Sequence, residues 1–469
     1  MIRILDITKA WYSRNTNAKK RNMAHNNNNL MGKITALCKR RGFIFPGSEI
    51  YGGLAGTWDY GPLGVLFKNN IKKEWWRSIV ELREDVVGID AAILMNPKVW
   101  EASGHVEAFA DPLIECKICH ERFRQDAKED ISEHEKMHEG KDEKKPEWTE
   151  PRQFNLLVKA FLGVVEEEKR TVYLRGEITQ GVYANFRNVL DSTQMKIPFG
   201  IAQIGKAFRN EITPGNFTFR SREFEQMELQ FFIKPEEKES EQWYDYWKEE
   251  RLKWYADLGM KKENLRFRDH EPSEKAHYAR FATDVEYLTP AWGWKEFEGI
   301  HHRGEWDLKR HSEFSGKDLS YYDEESGKRF IPWVIETSGG VDRTALFFLI
   351  DAYFEDAMGS EQRVVLRFHP KLAPIKVGVF PLLANKPKLV EKARSIYNAL
   401  KPNFVCAWDD RGNIGKRYYS QDEIGTPWCV TVDFETLENG TVTVRDRDTA
   451  QQERIRVDGL KNYFEDKLR

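Results

Sequence analysis

Two runs of arginine and carboxylate on either side of one loop constrain this chain most: Phe208-Arg-Asn-Glu-Ile212, then Phe219-Arg-Ser-Arg-Glu-Phe-Glu-Gln-Met-Glu-Leu229, continuing through Gln230 to Phe232. Side chains alternate across a strand, so Met227, Leu229 and Phe231 share one face while Glu228 and Gln230 take the other. The same period puts Arg209 and Glu211 on one face of the first strand. The runs therefore predict an antiparallel strand pair with an apolar back and a charged front. Arg209, Arg220 and Arg222 crowd one loop, and guanidinium groups on one face repel each other unless an anion completes them. A salt-bridged surface strand pair is the other reading these residues allow.

A second constellation follows. Pro332 to Ile335 reads as a strand, Glu336-Thr-Ser-Gly-Gly as a tight passage, and Val341-Asp-Arg-Thr-Ala-Leu-Phe-Phe-Leu-Ile350 as a buried helix. Arg343 and the free N–H groups at the helix start suit an anion or nucleotide, and also suit a plain helix cap.

Between residues 51 and 64 stand five glycines, and a helix over Val65 to Glu84 repeats Ile71, Trp75 and Ile79 on one face, for core or a subunit interface. Strand patterns occur at Thr171 to Leu174, Ala207 to Ile212 and Glu225 to Ile233. The charge-dense stretch 125–151 predicts a surface insertion, and 235–280, with Trp243, Tyr246, Trp247 and Trp254 at helical spacing, a helical one. Beyond a boundary near His369 to Pro374, a strand over Ile375 to Leu383, a helix burying Leu389, Ala393, Ile396 and Leu400, and a strand over Phe404 to Trp408 make a βαβ unit. Cys429 to Phe434 and Thr441 to Arg445 predict a hairpin around Glu438-Asn-Gly440, and a last helix repeats Leu460, Phe464 and Leu468.

At 469 residues, with 73 Lys and Arg against 75 Asp and Glu, the chain is too long for a disulfide-stapled module and carries no global basic field. A mean hydropathy of −0.66 and the lack of an apolar run of about 18 residues exclude a membrane-spanning helix. Five cysteines fit a reducing compartment, so the expected location is the cytoplasm. Residues 1–30 hold six basic residues against one acid and end in four asparagines before Leu30, which reads as disordered. That composition fits an organelle address and fits equally an upstream start with Met31 as the functional one.

The pairing of Phe-Arg-x-Glu, loop and second strand with a later Gly-x-x-Arg helix resembles motifs 2 and 3 of class II aminoacyl-tRNA synthetases. Gly42-Phe-Ile-Phe-Pro-Gly-Ser-Glu-Ile-Tyr-Gly-Gly53, Thr57-Trp-Asp-Tyr-Gly-Pro62, Trp100-Glu-Ala-Ser-Gly-His105 and Gln421-Asp-Glu-Ile-Gly-Thr-Pro427 narrow the resemblance to glycyl-tRNA synthetases of the homodimeric type, over residues 31–469. The resemblance implies an α+β fold: an antiparallel-sheet catalytic domain over 31–368, with insertions near 113–150 and 235–280, and an α/β anticodon-binding domain over 369–469. It implies glycine, ATP and glycine tRNA as partners, glycyl adenylate as intermediate, AMP and pyrophosphate as products, Mg2+ as cofactor, and a homodimer. By similarity Arg209 and Arg343 are catalytic; Arg209 holds the α-phosphate and the glycine carboxylate, Arg220 and Arg343 the outer phosphates. Phe224 stacks on adenine, with Arg343 on the other face. Asn210, Glu211, Phe219, Ser221, Arg222, Glu223, Phe297, Gly340, Val341 and Asp342 complete the ATP set, and Glu296 holds magnesium. For glycine it implies Glu177, Glu228, Glu336 and Ser338, with Arg124, Phe224, Glu225, Gln226, Met227, Thr337, Gly339 and Gly340 around them. Glycine has no smaller competitor, so no editing domain is expected.

Two blocks depart from the family pattern. The usual Arg-Pro-Glu-Thr-Ala-Gln-Gly stands here as Arg175-Gly-Glu-Ile-Thr-Gln-Gly181, and Glu-Pro-Ser as Glu336-Thr-Ser. Cys116, Cys119, His134 and His138 have the layout of a two-Cys, two-His structural zinc site, although the family often carries two Cys pairs in this insertion. A non-catalytic binding protein is the competing class. Retention of Arg209, Arg220, Arg343 and Glu296 together favours the enzyme.

Overall fold

The alternation at Met227, Leu229 and Phe231 sets the central layer of the computed structural model, which describes residues 30–139, 145–165, 169–271, 280–358 and 361–469. The basic, asparagine-rich stretch up to Asn29, and with it the question of an organelle address, lies outside the described residues. Seven strands form the main sheet: β1 (Val86–Gly88), β2 (Phe199–Phe208), β3 (Glu223–Ile233), β4 (Leu265–Asp269), β5 (Phe281–Thr289), β6 (Gly293–Gly304) and β7 (Trp333–Gly340). Their order is β4-β5-β6-β7-β3-β2-β1, antiparallel except where β1 runs parallel to β2.

One face of the sheet carries Met227, Leu229, Phe231, Val285, Ile300 and Ile335, all buried. Over it pack α1 (Pro62–Trp76), which buries Ile71 and Trp75, α3 (Glu237–Asp257), which buries Trp247 and Tyr255, and α5 (Val341–Ala352). At the start of α1 the backbones touch: a Cβ on Gly64 would lie 1.8 Å from the Phe43 carbonyl oxygen, so only glycine fits. The opposite face is apolar at one end only. There Phe199, Ile201 and Phe232 pack under Val182, Tyr183 and Phe186 of α2 (Thr179–Thr193) and Leu308 of α4 (Trp306–Ser315). The other end of that face is polar and holds the cavity described below.

The structure redraws several sequence expectations. β2 begins earlier than Ala207 and ends at Phe208; Arg209 and Glu211 sit in a turn, where the Glu211 N–H donates to the Arg209 carbonyl at 2.8 Å. The long helix starts at Pro62, because proline suits the first turn, and loosens over Arg77–Glu81, still burying Ile79. Within the 235–280 stretch the described residues 235–271 pack against the main sheet through α3 and β4. Arg251 of α3 pairs with Glu298 of β6 at 2.7 Å with both groups buried, and Leu265–Asp269 is the edge strand β4.

Residues 377–464 form a second core around Val377, Val379, Leu389, Ala393, Ile396, Leu400, Val430 and Phe464. The βαβ unit is present as β8 (Val377–Pro381), α6 (Pro387–Leu400) and β9 (Cys406–Trp408), with β8 and β9 parallel. α7 (Ile414–Asp422) leads to β10 (Trp428–Val432), β11 (Thr441–Asp446), β12 (Gln452–Arg456) and α8 (Leu460–Lys467), in the order β9-β8-β10-β11-β12. β10 and β11 pair as the hairpin reading requires, but a short helix, Phe434–Asn439, joins them. The Asp433 side chain caps it in a reciprocal bond with Thr436, and Gly440 ends it with a positive φ. Asp422 ties the two cores together, accepting from Arg363 at 2.7 Å and from Arg445 at 2.8 and 2.9 Å with all three groups buried.

Candidate active site

The cavity lies between β3, β7 and β6 and the turns around Glu177 and Arg209, with a volume of about 290 Å³. Strand register decides what enters it. Glu228 is opposite Ser338 and Gln230 opposite Glu336 on the β3–β7 pair, so both carboxylates share one face with Gln226 and Gly340. On the β6–β7 pair His301 is opposite Glu336. A bulge in β6 skips Phe297, which stays on the core face while Glu296 turns toward the cavity.

The carboxylates have unlike partners. Glu336 accepts from Arg303 Nη1 at 3.1 and 3.3 Å and lies 3.0 Å from His301 Nδ1, and Arg303 is itself locked to Asp307 by bonds of 2.7 and 2.9 Å. Burial works against its charge, but Arg303 and His301 outweigh it and hold Glu336 down at about 2. Glu228 Oε2 lies 2.5 Å from Thr179 Oγ1, and Oε1 accepts from Ser338 Oγ at 2.6 Å. Burial, then Glu336 and Glu177, push it up to about 8. Glu177 accepts from Gln180 at 2.9 Å and faces His105 at 3.4 Å; burial opposes its ionisation, yet His105 and Arg303 keep it well below the usual range. This corner holds an excess of anionic capacity suited to a small cation.

Cationic groups line the other end. Arg209 donates to the Gly176 carbonyl at 3.1 Å and lies over the rings of Phe109 and Phe224 at 5.2 and 5.4 Å. Arg343, in the first turn of α5, lies over Phe219 at 4.4 Å and bonds Glu296 Oε1 at 2.7 Å, which keeps that carboxyl below its ordinary range. Arg220 sits 3.9 Å from Glu211. Phe224, Ser221, Gln226, Glu296 and Gly340 also line the cavity, and Phe297 borders it while its side chain packs in the core.

Other residues of the expected sets lie elsewhere. Met227, Thr337, Gly339 and Val341 face the core side; Met227 Cε would lie 3.2 Å from a Cβ on Gly339. Arg222 donates to the Ala55 and Glu211 carbonyls and braces the glycine-rich loop. Glu225 and Asp342 touch the cavity edge but share Lys68, at 2.8 Å each, with Lys72 and Tyr60 closing the network. The Asn210 N–H is held by the Leu156 carbonyl, and Glu223 pairs with Lys206. Arg124 is bound to Asp111 and Asp126 at the base of the Cys/His insertion.

In that insertion Cys116, Cys119, His134 and His138 gather within 4.8 Å of one another, with both histidines on the helix Lys128–Glu139. Cys119 Sγ lies 3.5 Å and Cys116 Sγ 3.9 Å from a histidine Nε2, and the two Nε2 atoms are 3.2 Å apart. These separations match the edges of a tetrahedron about a zinc-sized ion. Glu121 faces the other nitrogen of His134 at 3.0 Å, as carboxylates do behind metal-bound imidazoles.

The anticodon binding domain family matches residues 376–467. A glycine–tRNA ligase of Lachnospira eligens is 52% identical over 463 residues, 94% of this chain and 99% of its own length. One of Caldanaerobacter subterraneus subsp. tengcongensis is 53% identical over 94% of this chain and 98% of its own, and one of Thermobifida fusca 50% identical over 93% and 98%. The chain belongs to the glycine–tRNA ligase family.

Sequence reasoning passed over His301, Arg303 and Thr179. His301 and Arg303 are three and one residues before Gly304 in a run whose face depends on the bulge at Phe297, and only the β6–β7 register brings them to Glu336. Thr179 did carry a signal, since it stands where the block 175–181 departs from the family pattern.

Proposed function

We propose that the chain joins glycine to its tRNA in two steps, forming glycyl adenylate from glycine and ATP and then passing the glycyl group to the tRNA, with pyrophosphate and AMP released. The observation that carries this reading is one cavity with clustered carboxylates at one end and arginines at the other. Glycine offers an ammonium and a carboxylate and no side chain. Its ammonium enters the Glu228, Glu177 and Ser338 corner, and Glu336, already neutralised by Arg303 and His301, shapes that corner. Arg209, tied to the carbonyl of Gly176 next to Glu177, would grip the glycine carboxylate and the α-phosphate together and stabilise the charge that builds as they react. Phe224 offers its ring to adenine, while Arg220 and Arg343 take the outer phosphates. Glu296, turned into the cavity by the bulge, would hold Mg2+, which supplies charge neutralisation on the phosphates when bound.

The finer assignments follow the same logic. Cys116, Cys119, His134 and His138 would hold a structural zinc. Ile50, Tyr51 and Leu54, exposed on the glycine-rich loop beside a second cavity lined by Lys68, Lys72 and Lys206, support a homodimer contact there. The region after about residue 369 is the tRNA-reading module and the region before it the catalytic body, working in the cytoplasm, where the free cysteines stay reduced. Among the described residues no helix is long and apolar enough to cross a membrane. The test is charging of total tRNA with each amino acid, with and without residues 1–30. Glycine alone should be attached; charging with another amino acid, or none, overturns the reading.

A further inference from the structure

Thr179 lies between two carboxylates and has one hydrogen to give. Its Oγ1 is 2.5 Å from Glu228 Oε2 and 3.0 Å from Glu336 Oε1, and the side chain is buried. A hydroxyl can donate once and accept twice, so one of these contacts must be donated by a carboxyl. The surroundings decide which. Glu336 carries Arg303 and His301, and Asp307 fixes Arg303 in place. Glu228 is met only by neutral groups, Thr179, Ser338 and, at 3.4 Å, Gln230, whose amide also reaches Glu336 at 3.3 Å, and it faces the carboxylates of Glu336 and Glu177, the latter with His105 beside it. Arg175 lends some positive field from behind but spends its guanidinium on the Lys206 and Ala91 carbonyls. The proton therefore belongs on Glu228.

We propose that Thr179 is a positioning residue that turns glycine binding into a proton exchange: Glu228 donates its carboxyl proton to Thr179, Thr179 donates to Glu336, and the arriving ammonium displaces the Glu228 proton to solvent. The balance is one ammonium bound for one proton released, with no covalent bond changed besides the O–H. Once Glu228 is anionic it needs a donor, so the Thr179 hydroxyl swings from Glu336 to Glu228. Glu336 keeps Arg303 and His301. The proposal rests on the glycine reading of the cavity.

The test is glycine-dependent ATP–pyrophosphate exchange by the full chain at saturating ATP, with the KM for glycine measured from pH 6.0 to 8.5. One proton released per glycine makes that KM fall by about tenfold per pH unit, with a break near the value of about 8 to which Glu228 is pushed, while the KM for ATP does not follow. Thr179→Ala removes both the acceptor for the protonated carboxyl and the stronger, charge-assisted donor for the anion, so its break moves to higher pH and its glycine KM at pH 6.5 rises at least threefold above that of the wild type. Thr179→Ser restores the wild-type profile. A wild-type glycine KM that is flat with pH, a Thr179→Ala profile that superimposes on the wild type, or loss of glycine activation in Thr179→Ala overturns the proposal alone. Absence of any glycine-dependent exchange in the wild type overturns the glycine reading beneath it.

Discussion

Ser338 and Glu228 stand directly opposite each other on paired strands, and the Ser338 hydroxyl donates to Glu228 Oε1 at 2.6 Å. The pairing fixes the carboxylate's orientation before any ligand arrives. It also separates two effects that mutation can read apart. Ser338→Ala removes one neutral hydrogen bond, worth about 1 kcal/mol, and should raise the glycine KM about fivefold with little change in the ATP KM. Glu228→Gln removes the charge proposed to meet the ammonium and should lower kcat/KM for glycine by roughly 10²–10³. Pyrophosphate exchange measures both; near-normal exchange by Glu228→Gln removes Glu228 from the site.

His302 makes the fold sensitive to acid. Its Nδ1 accepts from the Gly304 N–H at 3.1 Å and its ring stacks edge-on to Trp333. Burial, helped by Arg280, lowers it from 6.5 to about 4. The unfolded chain therefore takes up this proton first, so stability is lost as pH falls from 6.5 toward 4. Chemical denaturation should show His302→Asn, which keeps an acceptor toward Gly304, losing about 2–3 kcal/mol less than wild type between pH 7 and 4.5. Equal losses would remove His302 from the account.

The buried Asp422 holds Arg363 and Arg445 at once, across the two cores. Arg363→Ala leaves that carboxylate short of a partner and should cost about 3–5 kcal/mol of unfolding free energy. Neither Asp422 nor Arg363 nor Arg445 lines the cavity, so pyrophosphate exchange at low temperature should fall far less than tRNA charging. Parallel loss of both activities in a folded variant would show that the clamp does not serve tRNA alignment.

Metal analysis of the purified chain should find about one zinc per chain, lost in Cys116→Ser. The Arg122 carbonyl in the same insertion accepts from Thr213 in the loop after Arg209, so zinc removal should also expose that loop to protease. A chain with no zinc above background ends the assignment.

Much of the site was legible because strand alternation is strict. Met227, Leu229 and Phe231 had to face away from Glu228 and Gln230, and the structure has them so. The helix face Leu389, Ala393, Ile396 and Leu400 was equally plain. What local pattern lacks is register. Glu296 enters the cavity through a one-residue bulge, and Arg303 and His301 acquire their role from a strand more than thirty residues away in sequence. The helix at Phe434–Asn439 was hidden because Glu438-Asn-Gly440 looks like a hairpin turn; the reciprocal cap of Asp433 and Thr436 was the signal against it. Arg209 and Glu211 share the cavity through a turn rather than a strand face, because the chain must leave the sheet to wrap the loop that follows.

On the reading proposed above, this cavity activates glycine and nothing larger. ATP–pyrophosphate exchange with each of the twenty amino acids, in the absence of tRNA, tests it most directly. Exchange with glycine alone, abolished in Arg209→Ala, is the predicted result. Exchange supported by alanine or serine as well as by glycine, or glycine exchange that survives Arg209→Ala unchanged, would contradict it.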